Sequence, residues 1–573
     1  VWLYIHGPSH QRALKASREG SRLLTAAEKF ATFDALQQGS FKDYPQPSFT
    51  KAWENAIYPD HGWGGKHGEM TDRTFRTVYE TARSIATDIL GKSMDNIASR
   101  INFSKDAIPV TVFNTLSWER TDIVKFTLDA EGNPENSFRL VDQIGNEIQY
   151  QLIDEHQISG NRDEVLTFLF VAEKVPSVGY KTYYLEKGKP DAHINDFKND
   201  SHHYENVYYM AEFADGGIRS LYDKELSVNI LNTEKFLGSE LFTMQSVGNG
   251  AGEFTDVQQP TMEGFEKMSQ YGQSWSLVSE GPLRDVYEFR KEISHVTVLQ
   301  QLIFYKTIKR IDVHIELNGF DGTRYREFRL AFPVNQAKSE IAYEVPMGVV
   351  RIGKDEIAGA AGFSKASQIY DTPCSQVHPR EVQDWFSASD GTNCLTISSD
   401  VAVFDWIDPT TNPSGYAMLQ PVLLASRKSC HGEGNYYLQP GDHDYTFSIY
   451  SHSGDWKNGY RLGTQSNQPL KAVVAKPSNG GTMPETMSFI SVENKNLILS
   501  TVKKCEDDDN VIVRCYDIEG KESDAKISFS VPVKKTELTN MIEEEGKPIP
   551  GSGKSLGLKV GHNSIETIKL FLK

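Results

Sequence analysis

The stretch AIYPDHGWGGKHGEMTD, residues 56–72, concentrates residue types that can do chemistry. It holds two His, two Asp, one Glu and four Gly in seventeen positions. Histidine is a common metal ligand, and glycine lets a backbone pass close to a ligand. Zinc usually takes three or four protein ligands, so a lone His61 would need partners far away in sequence or outside this chain. The alternative is a helix–helix turn that carries an incidental, hydrogen-bonded His.

Four His-x-Glu triplets are further candidates. On a strand, residues i and i+2 share one face, so such a pair could bind a metal. With fifteen His and 77 acidic residues a few triplets are expected by chance, and none has a Cys pair or a third ligand nearby. The Gly-rich stretch CHGEGNYY could reach a ligand, which keeps His431 and Glu433 as candidates. The triplets are His67–Glu69, His203–Glu205, His314–Glu316 and His431–Glu433.

The elements that must position these residues change character near residue 105. Before it, apolar residues recur at i, i+3, i+4 and i+7, which predicts helices. Thr71 or Asp72 can cap the last of them, so His61 falls between two helices. The predicted helices run from about Pro8 to Gln37, around Phe49–Ile57 and over Phe75–Ile97.

After Ile108 the apolar pattern has period two, and short strands continue to the end of the chain. About 460 residues of β structure are too many for one sandwich, so we predict three β domains. The predicted fold class is α+β, mainly β: a three-helix bundle followed by several antiparallel β-sandwich domains. The predicted spans are 1–105 for the bundle, 106–190 for a small sandwich, 191–473 for a large sandwich and 474–573 for a C-terminal sandwich.

The composition excludes several classes of partner. The chain has 60 Lys and Arg against 77 Asp and Glu, a net charge of −17. Such a surface repels phosphate backbones and anionic lipid, so we expect neither nucleic acid nor membrane as a partner, whereas sugars remain open. No apolar run approaches the ~20 residues of a membrane span. Five scattered Cys without a C-x-x-C argue against a disulfide framework and a thiolate zinc site.

The segment YPDHGWGGKHGEMTD resembles the metal-histidine segment of glycoside hydrolase family 38, the zinc-dependent α-mannosidases, in the form carried by bacterial members. The likeness continues nearly end to end, in the right order. WLYIHGPSHQRALKASREGSRLLTAAE resembles the helix that enters the family's bundle, and VTVFNTLSWERTDIV resembles its first strands. The large sandwich is matched by ENVYYMAEFADGGIRSLYDKE and SEGPLRDVYEF, and later parts by GDHDYTFSIYSHSGDW and LSTVKKCEDDDNVIVRCYDIEG.

The resemblance implies how the chemistry is divided. In the family, an N-terminal α/β domain supplies a His-x-Asp pair and an Asp to zinc, together with an Asp nucleophile and an Asp acid/base. The bundle adds one His ligand, a role that falls on His61. No His of this chain is followed two positions later by Asp, and Val1 is not an initiator. We therefore expect a C-terminal part that lacks its catalytic domain and holds no catalytic residue.

The resemblance also implies a cofactor, a substrate and partners. The implied reaction is retaining hydrolysis of terminal α-mannosides, with one zinc ion as cofactor. Many members have Asp directly after the ligand His, where this chain has Gly62, so that role is not carried over. Predicted substrate-binding residues are Asp60, His431, Glu433 and Arg380. The large sandwich is expected to be galactose-mutarotase-like. Expected partners are mannoside glycans, the chain's own catalytic domain and further copies of the chain, in a bacterial cytoplasm or periplasm.

A second hypothesis belongs to another class, a non-catalytic carbohydrate-binding or assembly module. Its large sandwich would present aromatic side chains to sugars. The segment around His61 discriminates between the two hypotheses, because a pure binding module has no need of it. The candidate aromatics are Trp275, Trp385, Trp406 and Trp456.

Overall fold

A computed structural model describes nine stretches of the chain, and it is mainly β within them. In these stretches four α-helices accompany several antiparallel sheets, which confirms the predicted fold class. None of the helices described there is long and apolar enough to cross a membrane. The described residues are 9–57, 68–129, 138–153, 165–190, 197–247, 259–356, 378–428, 436–476 and 480–572.

The first three helices lie close to where the apolar spacing predicts them. Thr71 and Asp72, expected as caps, instead lie inside the first turn of the third helix, because that helix begins at Glu69. The backbone N–H of Asp72 donates to the carbonyl of Gly68 at 3.1 Å, so the helical bonding already starts there. The helices are α1 (Gln11–Gln38), α2 (Gln46–Ala56), α3 (Glu69–Ala98) and α4 (Trp456–Asn467).

The short helix α4 was not predicted, and its glycines explain why. Gly459 and Gly463 lower helix propensity by about 1 kcal/mol each relative to Ala, so the local pattern favours a loop. In the structure, a Cβ on Gly463 would come within 2.5 Å of the Trp385 Cβ, and one on Gly459 would collide with His452 and Thr396. The glycines therefore let α4 lie directly on the sheet, a tertiary benefit that local propensity does not show.

The chain divides into two compact units. The first comprises Val1–Arg18, Ile57–Glu80 and Asn195–Asn467. The second comprises Glu19–Ala56, Thr81–Ile194 and Gln468–Lys573. The four predicted domain spans differ from this division and stay predictions.

Within the described residues, the first unit has four antiparallel sheets, and strands are numbered in chain order. The four-stranded sheet has the order β11 (Val228–Asn229), β10 (Gly217–Asp223), β9 (Tyr209–Ala214), β8 (His203–Glu205). The seven-stranded sheet has the order β13 (Gln259–Pro260), β12 (Glu240–Val247), β19 (Arg326–Pro333), β26 (Met418–Ala425), β25 (Val403–Asp405), β22 (Arg380–Glu381), with β14 (Glu266–Lys267) also on β12. The nine-stranded sheet has the order β15 (Ser276–Ser279), β16 (Arg284–Ile293), β17 (Val296–Tyr305), β18 (Ile311–Phe320), β29 (Gly441–Ser453), β24 (Asn393–Ser398), β23 (Trp385–Ser389), β20 (Glu340–Val345), β21 (Gly348–Arg351). The last pair is β27 (Arg427–Lys428) with β28 (Tyr436–Tyr437).

The core of the first unit lies between the large sheets, and strand β19 shows how it is built. Phe328, Leu330 and Phe332 alternate along β19 and enter the main apolar core. Burying each such side chain contributes roughly 1.5–3 kcal/mol. Glu327 and Arg329 occupy the alternate positions and point to the opposite face, yet they are also buried, at 1% and 3% exposure. The seven-stranded sheet thus has a charged face that is shielded from water.

The second unit likewise has four antiparallel sheets in the part of the chain that is described. The six-stranded sheet has the order β30 (Lys471–Val474), β1 (Ile108–Asn114), β7 (Gly179–Lys187), β3 (Phe138–Val141), β4 (Glu147–Ile148), with β31 (Thr486–Ser488) on β7. The two three-stranded sheets are β2 (Arg120–Asp129), β6 (Val165–Val175), β5 (Tyr150–Ile153) and β32 (Ile490–Val492), β35 (Ser523–Val533), β38 (Gly551–Val560). The five-stranded sheet is β33 (Leu497–Lys504), β34 (Val511–Asp517), β39 (Ile565–Phe571), β36 (Lys535–Thr539), β37 (Lys547–Ile549).

Candidate functional site

Of the predicted site residues, the structure describes Arg380. His61 and Asp60 lie in residues 58–67, and His431 and Glu433 lie in residues 429–435, both outside the described residues. The residues that directly follow these two segments, Gly68 and Tyr436, are described. Their contacts show which parts of the chain the fold brings together.

The residues that follow the two segments lie against each other. Gly68, which follows 58–67, has a φ of +50°. A Cβ at this position would come 2.5 Å from the carbonyl oxygen of Tyr436, the residue that follows 429–435. Only glycine accommodates both the backbone conformation and so close an approach. The fold therefore brings together Gly68 and Tyr436, the first described residues after the two segments.

A buried imidazole reinforces this junction. His10 is fully buried, and its Nδ1 lies 3.0 Å from Oδ1 of Asp72 in the first turn of α3. The ring of His10 also meets the ring of Tyr437 edge-on, with centroids 4.3 Å apart. His10 immediately precedes α1, so one side chain contacts α3 and β28 at the start of α1.

The start of α1 is held by further polar contacts. The backbone N–H of Gln11 donates to Oε1 of Gln439 at 3.0 Å. Nζ of Lys15 donates to Oδ2 of Asp444 at 2.7 Å and to Oδ2 of Asp400 at 3.3 Å. These bonds anchor the N-terminal turns of α1 on Asp400 and on the residues that follow β28.

A charged network occupies the shielded face of the seven-stranded sheet. Arg329 donates to Oε1 of Glu327 at 2.5 Å, to Oδ2 of Asp405 at 2.9 Å and to Oε1 of Gln420 at 3.1 Å. Nη2 of Arg427 donates to the other oxygen of Glu327 at 3.3 Å. All five residues are less than a tenth exposed. Buried charges are costly unless paired, so this network must remain complete to be tolerated.

The network stays ionised. Burial opposes the ionisation of Asp405, but His378, whose Nδ1 lies 2.8 Å from Oδ2, and Arg329 hold the pKa of that carboxyl well below its ordinary value. Burial opposes the ionisation of Glu327 too, and Arg329 and Arg427 outweigh it and lower the pKa. The network therefore presents fixed charges over the neutral pH range.

The predicted residue Arg380 lies beside this network. Its Nε donates to Oε1 of Glu356 at 2.7 Å, and its guanidinium stands 5.5 Å from the ring centre of Trp406. Glu356 precedes residues 357–377, and His378 follows them. The described residues Glu356, His378 and Arg427 therefore belong to one group of contacts.

The sequence reasoning missed Glu327, Arg329, Asp405 and Arg427. A signal was present in REFRLAFP, where Glu and Arg stand two positions apart within an otherwise apolar strand. Period two places both charges on one face of the strand, and a strand that is apolar on its other face must pair them.

The described residues do not form a zinc site by themselves. Within them, no group of three or more His, Cys, Asp or Glu side chains could hold a metal ion. Two of the His-x-Glu triplets are described. Their side chains face each other at 3.4 Å in His314–Glu316 and 3.7 Å in His203–Glu205. In each of these two triplets the His therefore pairs with the Glu of the same triplet.

The tryptophans proposed as sugar platforms are core residues. None of the four is more than 8% exposed. Trp385 and Trp456 stack on each other, with centroids 6.0 Å apart. A buried ring offers no face to a sugar, so these tryptophans do not support the binding-module hypothesis. They are Trp275, Trp385, Trp406 and Trp456.

Comparison with protein-family models matches two regions of the chain. Residues 204–361 match the glycosyl hydrolases family 38 C-terminal domain, and residues 496–568 match the family 38 C-terminal beta sandwich domain. A curated relative, mouse alpha-mannosidase 2C1, is 26% identical over 109 residues. That alignment covers 18% of this chain and 10% of the mouse protein.

Two solved structures from Enterococcus faecalis share the fold over the whole chain. One is described as a protein in glycosyl hydrolase family 38, with a TM-score of 0.77 and 13% identity, and 71% of it is covered. The other is an alpha-mannosidase with a TM-score of 0.74 and 13% identity, of which 68% is covered. At this identity the likeness establishes the fold. The two matched domain models show that residues 204–361 and 496–568 are similar to the C-terminal domains of glycosyl hydrolase family 38.

Proposed function

We propose that this chain is part of a zinc-dependent, retaining α-mannosidase that hydrolyses terminal α-mannosides of glycans. Its contribution to the active site is one zinc ligand, His61. The observation that carries the proposal is the contact between Gly68 and Tyr436, because these two residues directly follow the segments that hold His61 and His431. The match of residues 204–361 to the C-terminal domain of a glycoside hydrolase family supports the reaction class.

The reaction needs two carboxylates that this chain is not expected to supply. In retaining glycosidases the nucleophile and the acid/base stand about 5–5.5 Å apart. We infer that both come from the N-terminal catalytic domain of the same protein, so the chain alone should show no appreciable turnover. Zinc, when bound, would act as a template and Lewis acid toward sugar hydroxyls.

The substrate contacts that we propose for this chain are Asp60, His431, Glu433 and Arg380. Asp60 belongs to residues 58–67, which Gly68 follows, and His431 and Glu433 belong to residues 429–435, which Tyr436 follows. Arg380 would reach substrate only by exchanging its bond to Glu356. Assembly with further copies of the chain and a bacterial cytoplasmic or periplasmic location stay predictions.

The test uses the full-length protein that contains this chain. Hydrolysis of an aryl α-mannoside and bound zinc are measured together for the wild type, for His61→Ala and for His562→Ala. His562 is exposed and serves as a matched control. We expect the wild type and His562→Ala to be active and to hold zinc, and His61→Ala to lose both.

Two results would contradict the proposal in different ways. If His61→Ala retains zinc and activity, His61 is no ligand, although the family assignment is unaffected. If the wild type is inactive and free of zinc, the reaction class itself is wrong, and a binding or assembly role becomes the better explanation.

A further inference from the structure

A cavity of about 770 Å³ opens on the outer face of the four-stranded sheet of the first unit. Strands β8, β9 and β10 form its base, and residues 233–237 and the 3₁₀ turn Met268–Tyr271 contribute its walls. None of its lining residues belongs to the charged network or to the junction around Gly68. The volume lies within the ~300–1,000 Å³ range that ligand sites occupy.

The alternation along the strands aims three polar side chains into this cavity. His203 on β8 pairs directly with Glu212 on β9. Glu212 is exposed, whereas its neighbours Ala211 and Phe213 are buried. Arg219 on β10 is exposed next to the buried Ile218. The outer face of the sheet therefore combines an acid, a base and an imidazole.

The walls of the cavity are fixed by a buried carboxylate. Glu240 is fully buried, and its two oxygens accept bonds from the backbone N–H of Leu237 at 2.8 Å and of Ser269 at 2.9 Å. At the base, Nε1 of Trp275 donates to the carbonyl of Ala214 at 3.2 Å. A site whose walls are already ordered loses little conformational entropy when a ligand binds.

The charged groups of the cavity differ in whether they bond to other groups of the protein. Nζ of Lys235 donates to Oδ2 of Asp408 at 2.6 Å, and Nζ of Lys267 donates to the carbonyl of Lys235 at 2.7 Å. By contrast, within the described part of the chain the side chains of Glu212 and Arg219 have no ion-pair or hydrogen-bond partner. These two groups remain free to bind a ligand.

The balance of the lining selects the ligand chemistry. Three acids face three bases, so a strongly anionic or cationic ligand would meet like charge. An apolar ligand would strip water from unpaired charges at a cost of several kcal/mol. Hydroxyl groups donate and accept at once, so they match both Glu212 and Arg219. The acids are Glu212, Asp215 and Glu234, and the bases are Arg219, Lys235 and Lys267.

We propose that this cavity binds a short neutral oligosaccharide through Glu212 and Arg219. The test uses this chain labelled with 5-fluorotryptophan, in which the ¹⁹F signal of Trp275 is assigned with Trp275→Phe. Linear α-mannotriose is titrated in. We expect a saturable shift of the Trp275 signal with a Kd of about 1 mM, equivalent to about −4 kcal/mol, and no shift of the Trp456 signal.

Variants locate the binding. Glu212→Ala and Arg219→Ala are each expected to raise the Kd at least ~10-fold, about the effect of one lost charge-assisted hydrogen bond. Arg290→Ala and Glu292→Ala are the matched controls, because both residues are exposed on β16 outside the cavity. The controls are expected to leave the Kd unchanged, and thermal melting checks that all four variants fold.

Three results would overturn the proposal. The first is no shift at about 20 mM mannotriose, twentyfold above the expected Kd. The second is an unchanged Kd in the double variant Glu212→Ala/Arg219→Ala. The third is an equal shift with inorganic phosphate at the same concentration, which would mark the cavity as an anion site.

Discussion

The imidazole of His10 meets the ring of Tyr437 edge-on, with centroids 4.3 Å apart and planes at 62°. Tyr437 belongs to β28, directly after residues 429–435, and His10 stands just before α1. Because Nδ1 of His10 also contacts Asp72, the same ring reaches the first turn of α3, directly after residues 58–67. The buried side chain of His10 therefore contacts residues that come soon after each of the two segments that hold candidate site residues.

Replacing His10 should loosen this junction. His10→Ala removes a buried hydrogen bond and an aromatic contact and leaves a cavity. We expect the free energy of unfolding to fall by about 2–4 kcal/mol. Denaturant unfolding of this chain measures the change, with His562→Ala as an exposed control. An unfolding midpoint equal to that of the wild type would show that the junction contributes nothing to stability.

Gly68→Ala tests the close approach to Tyr436, and Gly39→Ala is its control. Both glycines have positive φ, +50° and +74°, but a Cβ at Gly39 would meet nothing within 4 Å. Gly39→Ala should therefore cost only the left-handed backbone, about 1–2 kcal/mol. Gly68→Ala should cost about 1–3 kcal/mol more, from the added crowding. Equal losses in denaturant unfolding would argue against the contact with Tyr436.

Removing one charge from the buried network should destabilise the fold, because the remaining charges lose their partner. Arg329→Met leaves Glu327 without its main partner and removes one of the two charged partners of Asp405, so we expect a loss of about 3–5 kcal/mol. Arg290→Met, at an exposed position, should stay within about 0.5 kcal/mol of the wild type. Both are compared by denaturant unfolding at neutral pH. A small effect of Arg329→Met would mean that water replaces the lost partner.

The stability of the second unit should depend on pH through Glu28. Burial raises the pKa of Glu28 from 4.5 to about 7, although the bond from Nε1 of Trp53 acts in the opposite direction. Between these values the folded state holds a proton that the unfolded state has released. The stabilisation is therefore complete below about pH 4.5 and is lost as the pH rises through about 7.

The variant Glu28→Gln isolates this effect, because it keeps an acceptor for Trp53 and does not titrate. Between pH 4.5 and pH 8, the free energy of unfolding of the wild type should fall by about 3 kcal/mol relative to that of the variant. Using the difference cancels other groups, such as His443. Burial lowers the pKa of the His443 imidazole to about 4, so the contribution of His443 to the stability of the folded state decreases as the pH falls. A pH-independent difference would refute the assignment to Glu28.

Two helical glycines should respond to alanine with opposite signs. At Gly91 in α3 an added Cβ meets nothing within 4 Å, so Gly91→Ala should gain up to about 1 kcal/mol from helix propensity. At Gly463 in α4 it would meet the Trp385 Cβ at 2.5 Å, so Gly463→Ala should destabilise by about 1–3 kcal/mol. Thermal melting distinguishes the two. A stabilising Gly463→Ala would mean that α4 can move away from the sheet.

Local pattern was enough to predict the fold class. Helices α1 to α3 and the change to strands after Ile108 follow from apolar spacing, because side-chain direction repeats with the backbone period. The helix α4 escaped this reasoning, since its glycines make sense only against Trp385. Residue type and motif likewise singled out His61 as a candidate zinc ligand and His431 as a candidate substrate-binding residue.

What the sequence by itself did not determine was which candidates meet. The contacts of Gly68 with Tyr436 and of His10 with Tyr437 join residues hundreds of positions apart, and no local period encodes such a pairing. The same holds for Arg329 and Asp405, whose charges are tolerated in the interior only because the sheet brings them within 2.9 Å. Sequence thus determined the elements and the chemical types, whereas the tertiary structure decided their neighbours, because burial and pairing depend on long-range packing.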